Sequence, residues 1–173
     1  PHGIALDTKD QWMFITNHGA VHNQDYNEKP AAGGRGAAPK QNWPLDRGNA
    51  IRGSGRNLPP SITVHAMSAS GDTPPLRVIQ GPKTRMDWPT GLAVDSERGE
   101  LYVANDMDNS ILVFNVTDSG DVAPKRMIRG PKTGIGNPTG VWLDLKNDEV
   151  WAANFMNHSA TVYARTASGD VAP

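Results

Sequence analysis

The 173-residue chain has no cysteine, which excludes disulfides, thiolate metal sites, thiol nucleophiles and c-type haem attachment. No apolar run approaches the roughly 20 residues that a membrane-spanning helix requires. An excess of charge of one sign is also lacking: 17 lysines and arginines stand against 18 acids, a net charge of −1. A bulk polyanion such as nucleic acid is therefore not an expected partner. The two Gly-Pro-Lys-Thr stretches at 81–84 and 130–133 lack the Gly-x-x-x-x-Gly-Lys-[Ser/Thr] spacing of a phosphate loop, and no helix pattern follows them. They read as turns. What remains is a composition of 37% hydrophobic and 20% charged residues, that of a soluble globular protein.

The chain is organised by repetition. Pro138-Thr-Gly-Val-Trp-Leu-Asp restates Pro89-Thr-Gly-Leu-Ala-Val-Asp 49 residues on, and Ser-Gly-Asp stands at 70–72, 119–121 and 168–170 with the same spacing. Pro1-His-Gly-Ile-Ala-Leu-Asp is a third copy, 88 residues before Pro89, so about 39 residues are inserted into it. Within the unit that begins at Pro89, four runs read as strands a to d: Gly91 to Asp95, Leu101 to Asn105, Ile111 to Phe114 and Arg126 to Arg129. Runs a to c are apolar at successive positions, which predicts a sheet covered on both faces. Between them lie Asp-, Asn- and Gly-rich turns, as an antiparallel meander needs. A period of 40 to 50 residues carrying four short strands predicts an all-β fold of the β-propeller type. The expected units are blade one (1–88), blade two (89–137) and blade three (138–173, without its outer strand). Propellers close with roughly four to eight blades, so these three are expected to belong to a larger propeller and a longer polypeptide.

The Pro-x-Gly-[Ile/Leu/Val]-x-[Leu/Val]-Asp opening, the second strand ending in [Thr/Ala]-Asn and the third strand with its Ser-Gly-Asp turn resemble the repeats of bacterial NHL-type six-bladed propellers. That resemblance implies an extracytoplasmic location: periplasmic, cell-surface or secreted. It leaves function open, because propellers of this type serve as enzymes, ligand binders and assembly modules alike.

The insertion, about residues 23–60, falls between strands b and c of blade one. It holds six glycines, five prolines and six lysines or arginines against three acids, a local charge of +3. Long loops with aromatic anchors carry function more often than short connections do. Tyr26, Arg35, Trp43, Arg47, Arg52 and Arg56 are accordingly the expected partner-binding residues.

In a four-stranded meander the d-to-a and b-to-c connections share one face, and the a-to-b and c-to-d connections the other. The first face collects the departures from the repeat. His2 replaces Thr in the Pro-Thr-Gly opening, His18 follows Asn17, and His22, the insertion, Asn105 to Asn109 and Asn154 to His158 join them. The Ser-Gly-Asp turns are expected on the opposite face. Imidazole ligates transition metals and acts as a base near neutral pH, and the Asn-Asp-Met-Asp-Asn loop is rich in oxygen donors suited to a hard cation. His2, His18, His22, Asp106 and Asp108 are therefore the candidate ligands of a divalent cation such as Ca or Zn. His65 reads as a histidine in an aromatic packing slot, and Trp142 and Trp151 as core. Asn17, Asn105 and Asn154 recur in every copy, which points to a structural role.

Two functions follow. The first is a non-catalytic module for protein–protein binding or assembly in an extracytoplasmic complex, using the face with the insertion, with other protein chains or further blades as partners. The alternative is a metal-dependent hydrolase or lyase similar to propeller lactonases of the gluconolactonase and paraoxonase type, which use a metal near the central channel.

Overall fold

The computed structural model describes residues 1–18 and 59–173, which form three antiparallel meanders. Blade one is β1 (Ile4–Asp7), β2 (Trp12–Asn17), β3 (Ser61–Ala66) and β4 (Arg77–Gln80). Blade two is β5 (Pro89–Asp95), β6 (Glu100–Asn105), β7 (Ser110–Asn115) and β8 (Arg126–Arg129). Blade three has β9 (Pro138–Asp144), β10 (Glu149–Asn154) and β11 (Ser159–Ala164) and, among the described residues, no outer strand, as expected. Each a-to-b turn is closed by the aspartate that ends the first strand: one carboxylate oxygen of Asp7, Asp95 and Asp144 accepts the backbone N–H groups two and three residues on. Asn17 pairs with Ser61 as Asn105 pairs with Ser110 and Asn154 with Ser159. The insertion thus occupies the b-to-c position, and residues 18–60 stand where the other blades have four-residue turns.

The sheets pack face to face, and the pleat decides which neighbour each side chain meets. Along β6, Leu101 and Val103 join Phe14, Ile62 and Val64 of blade one, whereas Tyr102 and Ala104 join Val141 and Val150 of blade three. Every residue of β6 is consequently buried. In β10 burial alternates instead, because only one face of blade three meets a neighbour among the described residues. Trp142 and Trp151, expected in the core, are 72% and 40% exposed. They hold the repeat positions of Ala93 and Tyr102, which point from blade two toward blade three, so both indoles point out of the packed arc.

The inner strands β1, β5 and β9 lie side by side. The glycine of the Pro-x-Gly motif permits this approach, since a Cβ on Gly91 would fall 2.9 Å from the Gly140 Cα, closer than real Cβ contacts come.

Outer strands are joined to the next blade by the Ser-Gly-Asp turns. Gly120 bridges Ile79 in parallel register, donating its N–H to Val78 at 2.7 Å and accepting from Gln80 at 3.0 Å. Asp121 then accepts the Lys83 N–H at 2.7 Å, in the 3-10 turn Pro82–Thr84. Gly169 and Asp170 repeat the arrangement on β8, with the Lys132 N–H again at 2.7 Å. A Cβ on Gly81 would sit 2.4 Å from the Asp121 carboxyl carbon, which explains the glycine that opens each Gly-Pro-Lys-Thr turn. These stretches are d-to-a turns, as their spacing indicates. The Ser-Gly-Asp turns, however, are not confined to the opposite face. The c-to-d connection is long enough to run along the neighbour's outer strand and reach its d-to-a turn, so the motif is an inter-blade clasp.

Polar links reinforce both boundaries. Arg126 reaches the carbonyl of Arg165 at 2.9 Å, and Arg77 reaches that of Val116 at 2.8 Å. On the first strand pairs of the two blades the same arginine meets different partners. Arg126 makes a fork on Glu100, at 2.7 and 2.9 Å, whereas Arg77 lies 4.1 Å over the Trp12 ring that replaces that glutamate in the repeat.

Candidate functional site

The departures from the repeat converge where the b-to-c loops meet the d-to-a connections, close to the inner strands. The framework comes from the recurrent asparagines. Asn105 accepts the Asp87 N–H at 2.7 Å and donates to the Arg85 carbonyl and the Ser110 hydroxyl. Asn154 accepts the Gly136 N–H and donates to Ser159 and Thr161. Both side chains are buried and committed, in agreement with the structural role their recurrence implies.

On this framework the His2 and His18 rings stack with centroids 4.6 Å apart at 29°, and His18 lies 4.6 Å from Trp88. Burial, with the neighbouring charges of His2 and the amino terminus, lowers the His18 pKa to about 4, so its ring is neutral at pH 7. Its Nε2 is buried with no hydrogen-bond partner among the described residues.

Asp106 lies beside this stack. Burial raises its pKa, and Asp87 adds to the rise, while the Asn137 amide, 2.7 Å away, and the charge of His2 act against it. Of the candidate ligands, the structure brings His2 and His18 into contact, and the Asp106 N–H donates to the carbonyl of Trp88, whose indole His18 touches, at 3.2 Å. Asp108 is drawn away: it pairs with Arg129 on the outer strand β8 at 2.9 Å. His22 lies outside the described residues, as do Tyr26, Arg35, Trp43, Arg47, Arg52 and Arg56.

Stacking presents imidazole faces rather than nitrogens to one another, and a shared ion would need both nitrogens converging at about 2.0 to 2.1 Å. Among the described residues no group of three or more His, Asp or Glu side chains is arranged to hold a metal ion. The donors present here do not by themselves form a metal centre.

Trp88 is the residue that reading the motifs missed. It adopts the left-handed conformation, with φ 59°, which is strained for a bulky side chain. Asn137, at the same repeat position 49 residues later, has φ 46° and is suited to it. An indole in a slot shaped for asparagine is the signal that a residue-by-residue comparison of the repeats carries.

Residues 68–171 match the family described as the SMP-30/gluconolactonase/LRE-like region. Among solved structures, a periplasmic gluconolactonase of Pseudomonas aeruginosa superposes with a TM-score of 0.58 at 16% identity, over 95% of this chain and 39% of that one. A Lactobacillus plantarum protein gives 0.48 at 14% identity, over 94% of this chain and 40% of that one. The chain thus spans about two fifths of the length of each. No curated protein matches the sequence. The gluconolactonase superposition supports the β-propeller fold. The family match overturns the expectation of a non-catalytic binding or assembly module, and favours the lactonase-like alternative.

Proposed function

From the premise that the chain belongs to the SMP-30/gluconolactonase/LRE-like family, whose match covers more than half of its residues, we propose that it contributes to a hydrolase of sugar-derived lactones. The reaction adds water to the ring ester's carbonyl carbon and breaks its bond to the ring oxygen, which must receive a proton. The observation that carries the reading is local: Asp106, a carboxyl whose pKa is raised by burial, donates its backbone N–H to the carbonyl of Trp88, against whose indole the stacked His18 and His2 rings lie. A carboxyl shifted toward neutrality is suited to general acid–base work, and an imidazole to carrying a proton near neutral pH. His18, held neutral and stacked between His2 and Trp88, fixes the position of the His2 ring.

The reading includes dependence on a divalent cation, from family resemblance. It also includes an extracytoplasmic location, in keeping with the periplasmic gluconolactonase that shares the fold. Among the described residues no helix is long and apolar enough to cross a membrane.

The test is acid release from glucono-δ-lactone, followed at constant pH with added Ca, Zn, Mg or Mn ions and again after chelation. Expected is hydrolysis above the spontaneous rate that chelation removes and that Asp106→Asn lowers by about 10²-fold or more. Rates equal to the spontaneous one with every ion, for both δ- and γ-lactones, would overturn the reading.

A further inference from the structure

One backbone conformation recurs at both blade boundaries among the described residues. Trp88 and Asn137, each the residue before a Pro-Thr-Gly opening and 49 positions apart, are left-handed, with φ 59° and 46°. Each grips two loops at once. The Trp88 carbonyl accepts the Asp106 N–H at 3.2 Å and the Asn137 carbonyl accepts the Phe155 N–H at 3.0 Å, which ties each residue to the b-to-c loop of its own blade. Their side chains turn to the blade before. The Trp88 indole meets the His18 ring at 4.6 Å, and the Asn137 amide donates to the Asp106 carboxylate at 2.7 Å. His18 and Asp106 stand at one repeat position, directly after the recurrent asparagines Asn17 and Asn105. The two contacts are therefore one device with different chemistry, a pair of rings at the first boundary and a hydrogen bond at the second.

We infer that Trp88 and Asn137 are positioning residues, each aiming the first b-to-c side chain of the preceding blade, His18 or Asp106, and that Trp88 links the two. Core packing does not account for the indole, since Trp88 is only partly buried and belongs to neither core cluster. Its backbone argues against it as well: a bulky residue in this conformation is strained, whereas asparagine adopts it readily. A residue that breaks a local preference without serving the core marks a site. Here the service is the contact with His18, whose Nε2 is buried without a partner among the described residues and whose other ring face meets His2 at 4.6 Å. Asn137 is fixed in turn, because its own N–H donates to Asn109 at 2.7 Å, so the amide that holds Asp106 is itself held. The consequence for catalysis rests on the lactone-hydrolase reading above, and the placement of the side chains does not.

The repeat supplies its own probe. Trp88→Asn installs the residue used at the next boundary, which suits the left-handed backbone and removes the ring, whereas Trp88→Phe keeps a ring. The His18 ring protons are followed by NMR, glucono-δ-lactone hydrolysis by acid release, and folding by the urea midpoint. For Trp88→Asn the His18 protons should lose the ring-current displacement that the indole imposes, and kcat should fall about 10²-fold at unchanged KM. Its urea midpoint should be no lower than that of wild type. Trp88→Phe should keep the displacement and most of the rate. Asn137→Gly, which keeps the backbone conformation and loses the amide, should lower kcat likewise while leaving the His18 signals in place. The inference is overturned if the His18 signals do not move in Trp88→Asn, if kcat of an active enzyme is unchanged, or if rate and urea midpoint are lost together. Should wild type itself show no hydrolysis above the spontaneous rate, the lactone reading fails, and the His18 signals alone decide for or against positioning by Trp88.

Discussion

At the scale of single residues, the site rests on a histidine that resists protonation. The folded pKa of His18 is about 4, against an ordinary value of 6.5, chiefly because the ring is buried. Below pH 6.5 the unfolded chain takes up a proton that the folded chain refuses until about pH 4. Stability should therefore decline as pH falls through that window and then level off as far as this group is concerned. The loss should be on the order of 1–2 kcal/mol once solvent screening of a partly buried ring is allowed for. Urea unfolding of wild type and His18→Gln between pH 7 and 4 checks this: the two should converge toward acid pH, and a constant difference would show that the ring is not held neutral. His2 and His18 were legible because each breaks a repeat. Their stacking was not, since it depends on Trp88, which the motifs do not include. The commitment of Asp108 to Arg129 was equally hidden, because Asp108 lies in the turn before β7 and Arg129 on β8, and only the register of β7 against β8 brings them together.

At the scale of elements, the strand order, the turn aspartates and the position of the insertion could all be read from a 49-residue period with alternating turn chemistry. The Ser-Gly-Asp turns were found by the same period but placed on the wrong face, because a meander diagram fixes where a connection starts and ends and not how far it travels between. Their role as clasps gives a comparison with an internal control. Asp121→Ala removes a carboxylate that caps a backbone N–H of the neighbouring blade, and should cost about 1 kcal/mol. Asp72→Ala changes the same residue of the same motif where, among the described residues, nothing is held, and in this chain should fall within about 0.5 kcal/mol of wild type. Denaturant midpoints of the two variants decide the point, and equal losses would contradict the clasp.

At the scale of the whole molecule, apolar strands predict burial only where a neighbouring sheet exists to provide it. Tyr102 and Trp151 occupy one repeat position, yet Tyr102 is fully buried and Trp151 is 40% exposed, because among the described residues blade two lies between two sheets and blade three against one. Phe14→Ala, at the boundary of blades one and two, should cost about 3–5 kcal/mol, whereas Trp142→Gln should be nearly neutral, within about 0.5 kcal/mol. Thermal unfolding of both variants measures the contrast.

The inter-blade clasps also impose an order in time. Ile79 is bridged by Gly120 and Ile128 by Gly169, so each outer strand is sealed by a residue 41 positions further along the chain. At synthesis rates of about 5 to 20 residues per second, a finished blade waits roughly 2 to 8 seconds with its edge uncovered. An open strand edge invites pairing with other chains. The interval in which this protein is most prone to aggregate is therefore built into its repeat length, and it recurs once for every blade that leaves the ribosome.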